Sequence, residues 1–344
     1  MRELKGKCKT FIELYSFFVI LYHFIYASGL LSWLGITIGG IHPAISVGLI
    51  LSILYLLFPY SKKTQQTGIP WYDWILAILC LIPTGYYALN YEMLLYSALT
   101  PTDFEVVLGV VMIILCIEGV RRAIGLPLVI CGLIFVIYPL VANSLPGILF
   151  AAPVKFRRLI GYIYLGSQGF FSAGAQVFST TIITFVIFGQ LIAISGGGDF
   201  FLNLSLSAMG GRNGGPAKAA TIGSGLFGMI SGVAVANVVT TGSITIPMMK
   251  RKGYSPEFAG AIETVASTGG ALMPPVMGAL AFIMADYMGV PYWQIASAAI
   301  IPAVLYYVAV YLQVSFYSSR HRLGGLSTEE IPAIKKVLAE GASR

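Results

Sequence analysis

The stretch AATIGSGLFGMISGVAVANVVTTGSITIPMM, Ala219 to Met249, decides the fold: it runs 31 residues without a charge. A bilayer core takes about 20 apolar residues in helical form, so this stretch is too long for one span and too short for two with a turn. Small and hydroxyl residues occur throughout, among them Thr221, Ser224, Ser231, Asn237, Thr240, Thr241, Ser243 and Thr245, with Gly232 near the middle. Lys218 stands at one end and Lys250, Arg251 and Lys252 at the other. Basic residues at both ends argue that the chain enters and leaves the membrane by one face. The reading is a re-entrant helical hairpin with its tip near Ser231–Asn237. Irregular backbone at membrane depth persists only where it is buried in protein or lines a wet cavity, so the tip marks a candidate site.

Downstream, Ser255 as N-cap, Pro256 at the first helical position and Glu257 in the first turn open a helix cleanly. That helix meets Ser267-Thr-Gly-Gly-Ala-Leu-Met-Pro-Pro-Val-Met-Gly278. Pro274 and Pro275 carry no N–H, so the carbonyls of Gly270 and Ala271 lose their helical partners, and Gly269-Gly270 lets the chain unwind. The helix is expected to break in mid-membrane, resume over Ala279–Met288 and end at Gly289-Val-Pro291, before a last span over Trp293–Phe316. Freed carbonyls beside hairpin hydroxyls are uncharged oxygen ligands suited to a hard monovalent cation such as Na⁺. Half-helix N-termini next to them present N–H groups to an anion. Glycine and proline kinks also serve close helix packing alone; a same-face hairpin followed at once by a broken helix favours the ion site.

The rest of the chain agrees with a membrane protein. Of 344 residues, 57% are hydrophobic and only 10% charged, with a mean hydropathy of +0.83, against about 25% charged in soluble domains. The net charge of +7 is spread in short basic clusters between apolar runs, which is a topology signal and excludes a nucleic-acid footprint. Cys8, Cys80, Cys116 and Cys131 are scattered without metal-ligand or disulfide spacing. Apolar runs at Phe11–Leu34, Ile41–Phe58, Trp71–Tyr91, Phe104–Val120 and Leu126–Ala142 are expected to cross. The clusters Arg2/Lys5/Lys7/Lys9, Lys62/Lys63 and Arg121/Arg122 place the N-terminus in the cytoplasm. Lys155 to Leu165 reads as a basic amphipathic arm in the interface plane, and Thr180 to Ile194 as a sixth span. The expected class is an all-α integral membrane protein of about eight transmembrane helices, with a re-entrant hairpin and interfacial arms.

Rival readings are weaker. Gly196-Gly-Gly-Asp199 with Tyr72-Asp73 formally matches the GxGD pattern of intramembrane aspartyl proteases, whose paired carboxylates share a proton. Both acids sit at the ends of apolar runs, where interfacial charges are ordinary. No G-x-S-x-G occurs, and His23, His42 and His321 have no evident nucleophile, so the chain is not expected to be an enzyme. Asp286, the deepest acid after the break, is a proton relay or a packed partner. A non-transporting membrane scaffold subunit is a third reading.

The motifs Ser195-Gly-Gly-Gly-Asp-Phe-Phe201, Gly214-Gly-Pro-Ala-Lys218, Gly228-Met-Ile-Ser-Gly232, Ala236-Asn-Val-Val-Thr-Thr-Gly242, Thr245-Ile-Pro-Met-Met249 and Met273-Pro-Pro-Val-Met-Gly278 resemble a TRAP transporter permease. More narrowly, they resemble the fused four-helix/twelve-helix form of the TAXI type, densely over residues 170 to 326 and loosely over 1 to 150. The resemblance implies a Na⁺-driven elevator in the inner (cell) membrane that imports an organic acid delivered by an extracytoplasmic solute-binding protein, with no cofactor beyond the coupling ion. It makes residues 1–150 a small-subunit-like four-helix scaffold with a connector helix, 151–326 the first half of the large subunit, and 327–344 a polar cytoplasmic tail. It assigns Ser231, Gly232, Asn237, Gly269, Gly270, Met273, Pro274 and Pro275 to Na⁺ coordination, and Thr240 and Thr241 to the solute path. Two departures stand out: Val233 where the hairpin motif usually has Ser, and Ala271 where this subgroup often has Gln. Such permeases carry two inverted repeats, and only one hairpin and broken helix occur here. The chain is therefore expected to be a truncated product, or one piece of a split permease whose second half is a separate chain.

Overall fold

Helices account for all the regular structure among the described residues, which in this computed structural model are 2, 4–34, 38–61, 68–97 and 100–342. Lys62 and Lys63, used in the topology reading, lie outside them. The chain divides into two compact units, Met1–Thr180 and Thr181–Arg344.

The first unit contains α1 (Lys7–Ala27), α2 (Leu30–Trp33), α3 (His42–Leu57), α4 (Trp71–Leu89), α5 (Tyr91–Ser97), α6 (Asp103–Ala123), α7 (Leu126–Val141), α8 (Phe156–Tyr164) and α9 (Ala173–Val177). Four of the five apolar runs upstream of residue 150 thus coincide within a few residues with single helices, α3, α4, α6 and α7, whereas Phe11–Leu34 is divided at Ser28-Gly29 into α1 and α2. Helix α6 starts with a reciprocal cap: the Thr102 hydroxyl accepts from Glu105 N at 3.3 Å, and the Glu105 carboxylate accepts from Thr102 N at 2.6 Å. Close packing is made by glycine: a Cβ on Gly109 would overlap Ile160, so α8 lies directly on α6. Leu159, Ile160 and Tyr164 form the buried face of α8, while Phe156 and Tyr162 stay exposed. The arm's amphipathic pattern is therefore resolved by packing one face on α6, and the Tyr164 hydroxyl donates to the Pro83 carbonyl at 2.6 Å.

One buried acid of this unit is held by two arginines. Asp73 is buried, and its carboxylate takes the guanidinium of Arg2 on one oxygen and that of Arg122 on the other at 2.6 Å. Arg122 also reaches Glu118 at 2.7 Å and lies over the Tyr55 ring, while Arg2 donates to the Leu56 carbonyl at 3.0 Å. Two arginines on Asp73 leave it no second carboxylate with which to share a proton, so the protease pairing has no support here.

The second unit contains α10 (Ile183–Ile194), α11 (Gly197–Met209), α12 (Gly215–Ser231), α13 (Ala234–Arg251), α14 (Pro256–Gly270), α15 (Ala279–Met288), α16 (Tyr292–Arg320) and α17 (Ile334–Ala342). Ser255 caps α14, its hydroxyl accepting from Phe258 N at 3.2 Å, as its position before Pro256 predicts. The polar tail packs back through α17, whose Gly341 abuts Phe200 of α11, and through the Ser207 hydroxyl, which donates to the Pro332 carbonyl at 2.6 Å. Lys252 holds the Glu330 carboxyl down to about 2, with Ser327 as a further donor. That contact is complete above the ordinary glutamate range and is lost only as pH falls toward 2.

Among the described residues, five helices are long and apolar enough to cross a membrane: Lys7–Ala27, Trp71–Leu89, Leu126–Ser144, Ala173–Ile194 and Tyr292–Arg320. His42–Leu57 and Ala279–Met288 are shorter apolar helices. Helix α6 falls out of this set because its ends carry Asp103, Glu105, Glu118, Arg121 and Arg122.

Removing the shared carboxylate with Asp73→Ala leaves the buried Arg2 guanidinium without an acid and Arg122 with Glu118 alone, and should cost about 3–5 kcal/mol in denaturant unfolding of the purified chain. Lys9→Ala, which removes an exposed pair with Glu13, should cost less than about 1 kcal/mol in the same measurement.

Candidate functional site

Helix α12 ends at Ser231 because Gly232 takes the left-handed conformation, with φ 63°, and Val233 is extended before α13 begins. The two helices run antiparallel: Ser224 Oγ meets Thr241 Oγ1 at 3.0 Å, and Asn237 Nδ2 donates to the Ser224 carbonyl at 2.7 Å. This is a helical hairpin with its tip at Gly232–Val233, inside the expected window. Helix α14 stops at Gly270 and α15 starts at Ala279, so the helix is broken where the glycines and prolines predict. The intervening segment holds the cis Pro274–Pro275 bond and a left-handed Met277 with φ 60°.

The carbonyls at the break differ from expectation. Pro274 and Pro275 do deprive Gly270 and Ala271 of their helical donors, but Met273 N donates to Gly270 at 3.2 Å and Gly278 N donates to Ala271 at 2.7 Å. A tight turn before the prolines supplies the first donor and the chain folding back beyond them the second, as buried carbonyls require. The Tyr292 hydroxyl likewise donates at the carbonyls of Val276 and Pro275, 2.5 and 2.9 Å away.

Tip and break meet directly. Val276 N donates to the Met229 carbonyl at 3.2 Å. A Cβ on Gly228 would stand 2.7 Å from Gly270 Cα, so the two backbones touch. The Met277 carbonyl oxygen abuts Gly232 so closely that a Cβ there would overlap it. Gly269 makes room in the same way for the Tyr306 ring. Several glycines assigned to ion coordination therefore have a steric role in bringing the two interruptions together.

Among the site residues, Ser231 is the anomaly. It is 7% exposed, yet its hydroxyl is buried with no hydrogen-bond partner. Its neighbours behave ordinarily: the hydroxyls of Thr221 and Thr240 donate to carbonyls one turn back, of Ala217 and Ala236, at 2.9 Å. An orphaned buried hydroxyl costs about 1–3 kcal/mol and asks for a ligand. Asn237 is fully buried, with Oδ1 3.1 Å from Thr241 Oγ1. Met273 and Pro274 are half-buried and Pro275 is exposed. Neither α13 nor α15 has a side-chain N-cap, so the first N–H groups of both half-helices lack that partner. A cleft of about 330 Å³ beside the tip is lined by Ile230 with Leu191, Ile192, Ser195–Gly197, Phe200, Phe201 and Gly341.

One acid was missed by sequence reasoning. Glu263 on α14 is fully buried and receives hydroxyls from Ser224, Thr241, Thr245 and Ser267. Its signal was present: Asn237, Thr241 and Thr245 repeat every fourth residue along one face of α13, as do Glu263 and Ser267 on α14. Asp286, by contrast, is exposed in the last turn of α15.

Gly228→Ala places its Cβ 2.7 Å from the Gly270 backbone and 2.8 Å from Asn237 Nδ2; thermal unfolding should show it destabilised by about 1–3 kcal/mol. Gly260→Ala, in the same unit and with nothing within 4 Å, should be neutral or gain about 0.5–1 kcal/mol.

Residues 110–344 match the family described as the tripartite ATP-independent periplasmic transporter, DctM component. The chain is 29% identical over 137 residues to the uncharacterized protein YgiK of Salmonella typhimurium, covering 40% of this chain and 31% of that one. It is 34% identical over 110 residues to the C4-dicarboxylate TRAP transporter large permease protein DctM of Vibrio cholerae, covering 32% and 24%. With the isethionate TRAP transporter permease protein DctMQ of Oleidesulfovibrio alaskensis it shares 32% over 160 residues, covering 46% and 22%. The matched regions span less than half the length of these relatives. The hairpin, the break and their contact all fall within the matched region, and the chain belongs to the DctM family of TRAP transporter large permeases.

Proposed function

We propose that this chain is the membrane component of a Na⁺-coupled importer of a small organic anion, with the coupling ion held where the hairpin tip meets the helix break. The observation that carries the reading is the buried, unpartnered hydroxyl of Ser231, the residue next to the Gly232 that meets Met277. Ser231, Gly232 and Asn237 supply the hairpin's oxygens, and Gly269, Gly270, Met273, Pro274 and Pro275 shape the opposite wall. Because the Gly270 and Ala271 carbonyls already accept one hydrogen bond each, they contribute through their second lone pair. The Met277 carbonyl, set against Gly232, joins them as a candidate ligand not foreseen in the sequence.

The solute follows from the adjoining helix ends. The N-termini of α13 and α15 carry positive dipole ends without side-chain caps, which favours a carboxylate or a sulfonate. Relatives named for C4-dicarboxylate and isethionate support a small anion of that kind. Thr240 and Thr241 lie on the first half of α13, along the solute path of this reading. In the inner membrane, with the N-terminus cytoplasmic, about eight crossings and a TAXI-type fused organisation, the second unit moves as one of two elevator repeats. An extracytoplasmic solute-binding protein delivers the solute, and a second-half permease sequence completes the machine.

Adding Na⁺, and not K⁺, to the purified chain should raise its unfolding midpoint, by about 2.7 kcal/mol of stabilisation at a hundredfold excess over Kd. Ser231→Ala separates site from scaffold: its hydroxyl makes no bond, so the fold should be as stable or more so while the Na⁺ response falls at least about tenfold in affinity. A wild-type chain indifferent to Na⁺ would return the reading to a scaffold subunit.

A further inference from the structure

Glu263 sits at the centre of the second unit with no exposed surface and no cationic partner. Its Oε1 receives Ser224 Oγ at 2.6 Å, Thr241 Oγ1 at 2.5 Å and Ser267 Oγ at 3.2 Å, and its Oε2 receives Thr245 Oγ1 at 2.5 Å. Among the described residues, no lysine, arginine or histidine forms an ion pair with it. Each packed element has its charged or titratable groups engaged elsewhere or at its ends. On α12, the Lys218 ammonium lies over the Tyr311 ring, 5.1 Å from its centre. On α13, Lys250 and Arg251 are exposed in the last turn. On α16, the hydroxyls of Tyr306 and Tyr307 donate to the carbonyls of Val265 and Ala266 at 2.8 and 2.7 Å, and Arg320 and His321 are exposed at the helix end. Glu257, on α14 itself, is exposed in the first turn.

A carboxyl group buried this way is stable only if its protonation state is matched by its hydrogen bonds. Here both states are matched without moving an atom other than hydrogen. When Glu263 is ionised, the surrounding hydroxyls all donate to it. When it is protonated, its O–H donates to Thr241 Oγ1, and the Thr241 proton turns to Asn237, whose Oδ1 lies 3.1 Å and whose backbone carbonyl 3.0 Å away. Asn237 cannot rotate to avoid this, because its Nδ2 is committed to the Ser224 carbonyl. The hydroxyls touch the carboxylate directly, so a metal ion would have to displace them, whereas a proton fits as they stand.

We infer that Glu263 is a proton-binding site set against the cation site at the hairpin tip, the two coupled through the orientation of the Thr241 hydroxyl. With the proton on Glu263, Thr241 points its hydrogen at Asn237 Oδ1, which leaves a cation only the second lone pair of that oxygen and weakens its hold. With Glu263 ionised, that hydrogen turns away and Oδ1 is free. The inference rests on the reading of Asn237 as a cation ligand given above, and it makes Na⁺ binding release one proton.

The test uses the purified full chain with Na⁺ as the probe and K⁺ as control, across a pH series spanning the carboxyl and imidazole ranges. Apparent Na⁺ affinity is read from thermal shifts and proton release from an indicator dye in weak buffer. The expected result is an affinity that falls with falling pH, toward a limiting slope of about tenfold per pH unit for one competing proton, with proton release over the same range. Glu263→Gln, which fixes a donor toward Thr241, should bind Na⁺ weakly at every pH and release no proton. If that variant does not fold, Thr241→Val cuts the link and should remove the pH dependence of whatever affinity remains; His321→Gln should leave it in place. A Na⁺ response that is present and independent of pH overturns the competition alone. So does pH dependence that survives both Glu263→Gln and Thr241→Val. A Na⁺ response absent at every pH overturns the cation site and the competition together.

Discussion

Gly228 and Gly270 touch backbone to backbone, and the rest of the second unit is arranged around that contact. A Cβ on either residue would be driven into the other helix. With none there, the end of α12 lies against the end of α14, and Val276 beyond the break bonds to Met229 before the tip. The same approach brings Ser224 and Thr241 within reach of Glu263. Interruptions in two separate helices thereby become one polar locus inside a unit whose other residues are largely apolar.

Two buried acids, one in each unit, are held in opposite ways. Asp73 is clamped by Arg2 and Arg122, and Arg122 is in turn held by Glu118 and the Tyr55 ring. Opposite charges so placed favour one protonation state and one geometry, as expected of a fixed anchor. Glu263 has only hydroxyls, each able to donate or accept. A shell of that kind tolerates either charge state, which suits a group that cycles. Ser231 adds the complementary feature, an oxygen with a lone pair and no protein donor or acceptor in reach.

Much of this was legible from residue order. A charge-free stretch bracketed by basic residues predicted the hairpin, and Gly232, left-handed in the structure, marks its turn. Ser255 and Pro256 opened α14, and Gly269-Gly270 with Pro274-Pro275 placed its break. These features are set by local backbone chemistry, which sequence reports directly. What sequence did not report was who satisfies whom. The replacement donor for Gly270 comes from a local turn and that for Ala271 from a fold-back of the segment, and the Tyr292, Tyr306 and Tyr307 hydroxyls reach their carbonyls from α16. Glu263, at the middle of α14, was overlooked because a lone acid on a helix reads as a solvated charge until the hydroxyl faces of α12 and α13 are set against it. Asp286 drew attention by its position in an apolar run, yet it is exposed.

The central claim is that a cation sits between the hairpin tip and the helix break, on the Ser231 hydroxyl. Determining the structure of the chain with Na⁺ replaced by a heavy monovalent ion such as Tl⁺ tests it most directly, because the ion locates itself by its scattering. The account predicts a single strong peak in contact with Ser231 Oγ, between Gly232 and Met277, that disappears in Ser231→Ala. A peak elsewhere in the unit with that contact empty, or a Ser231 hydroxyl bonded within the protein, would contradict it.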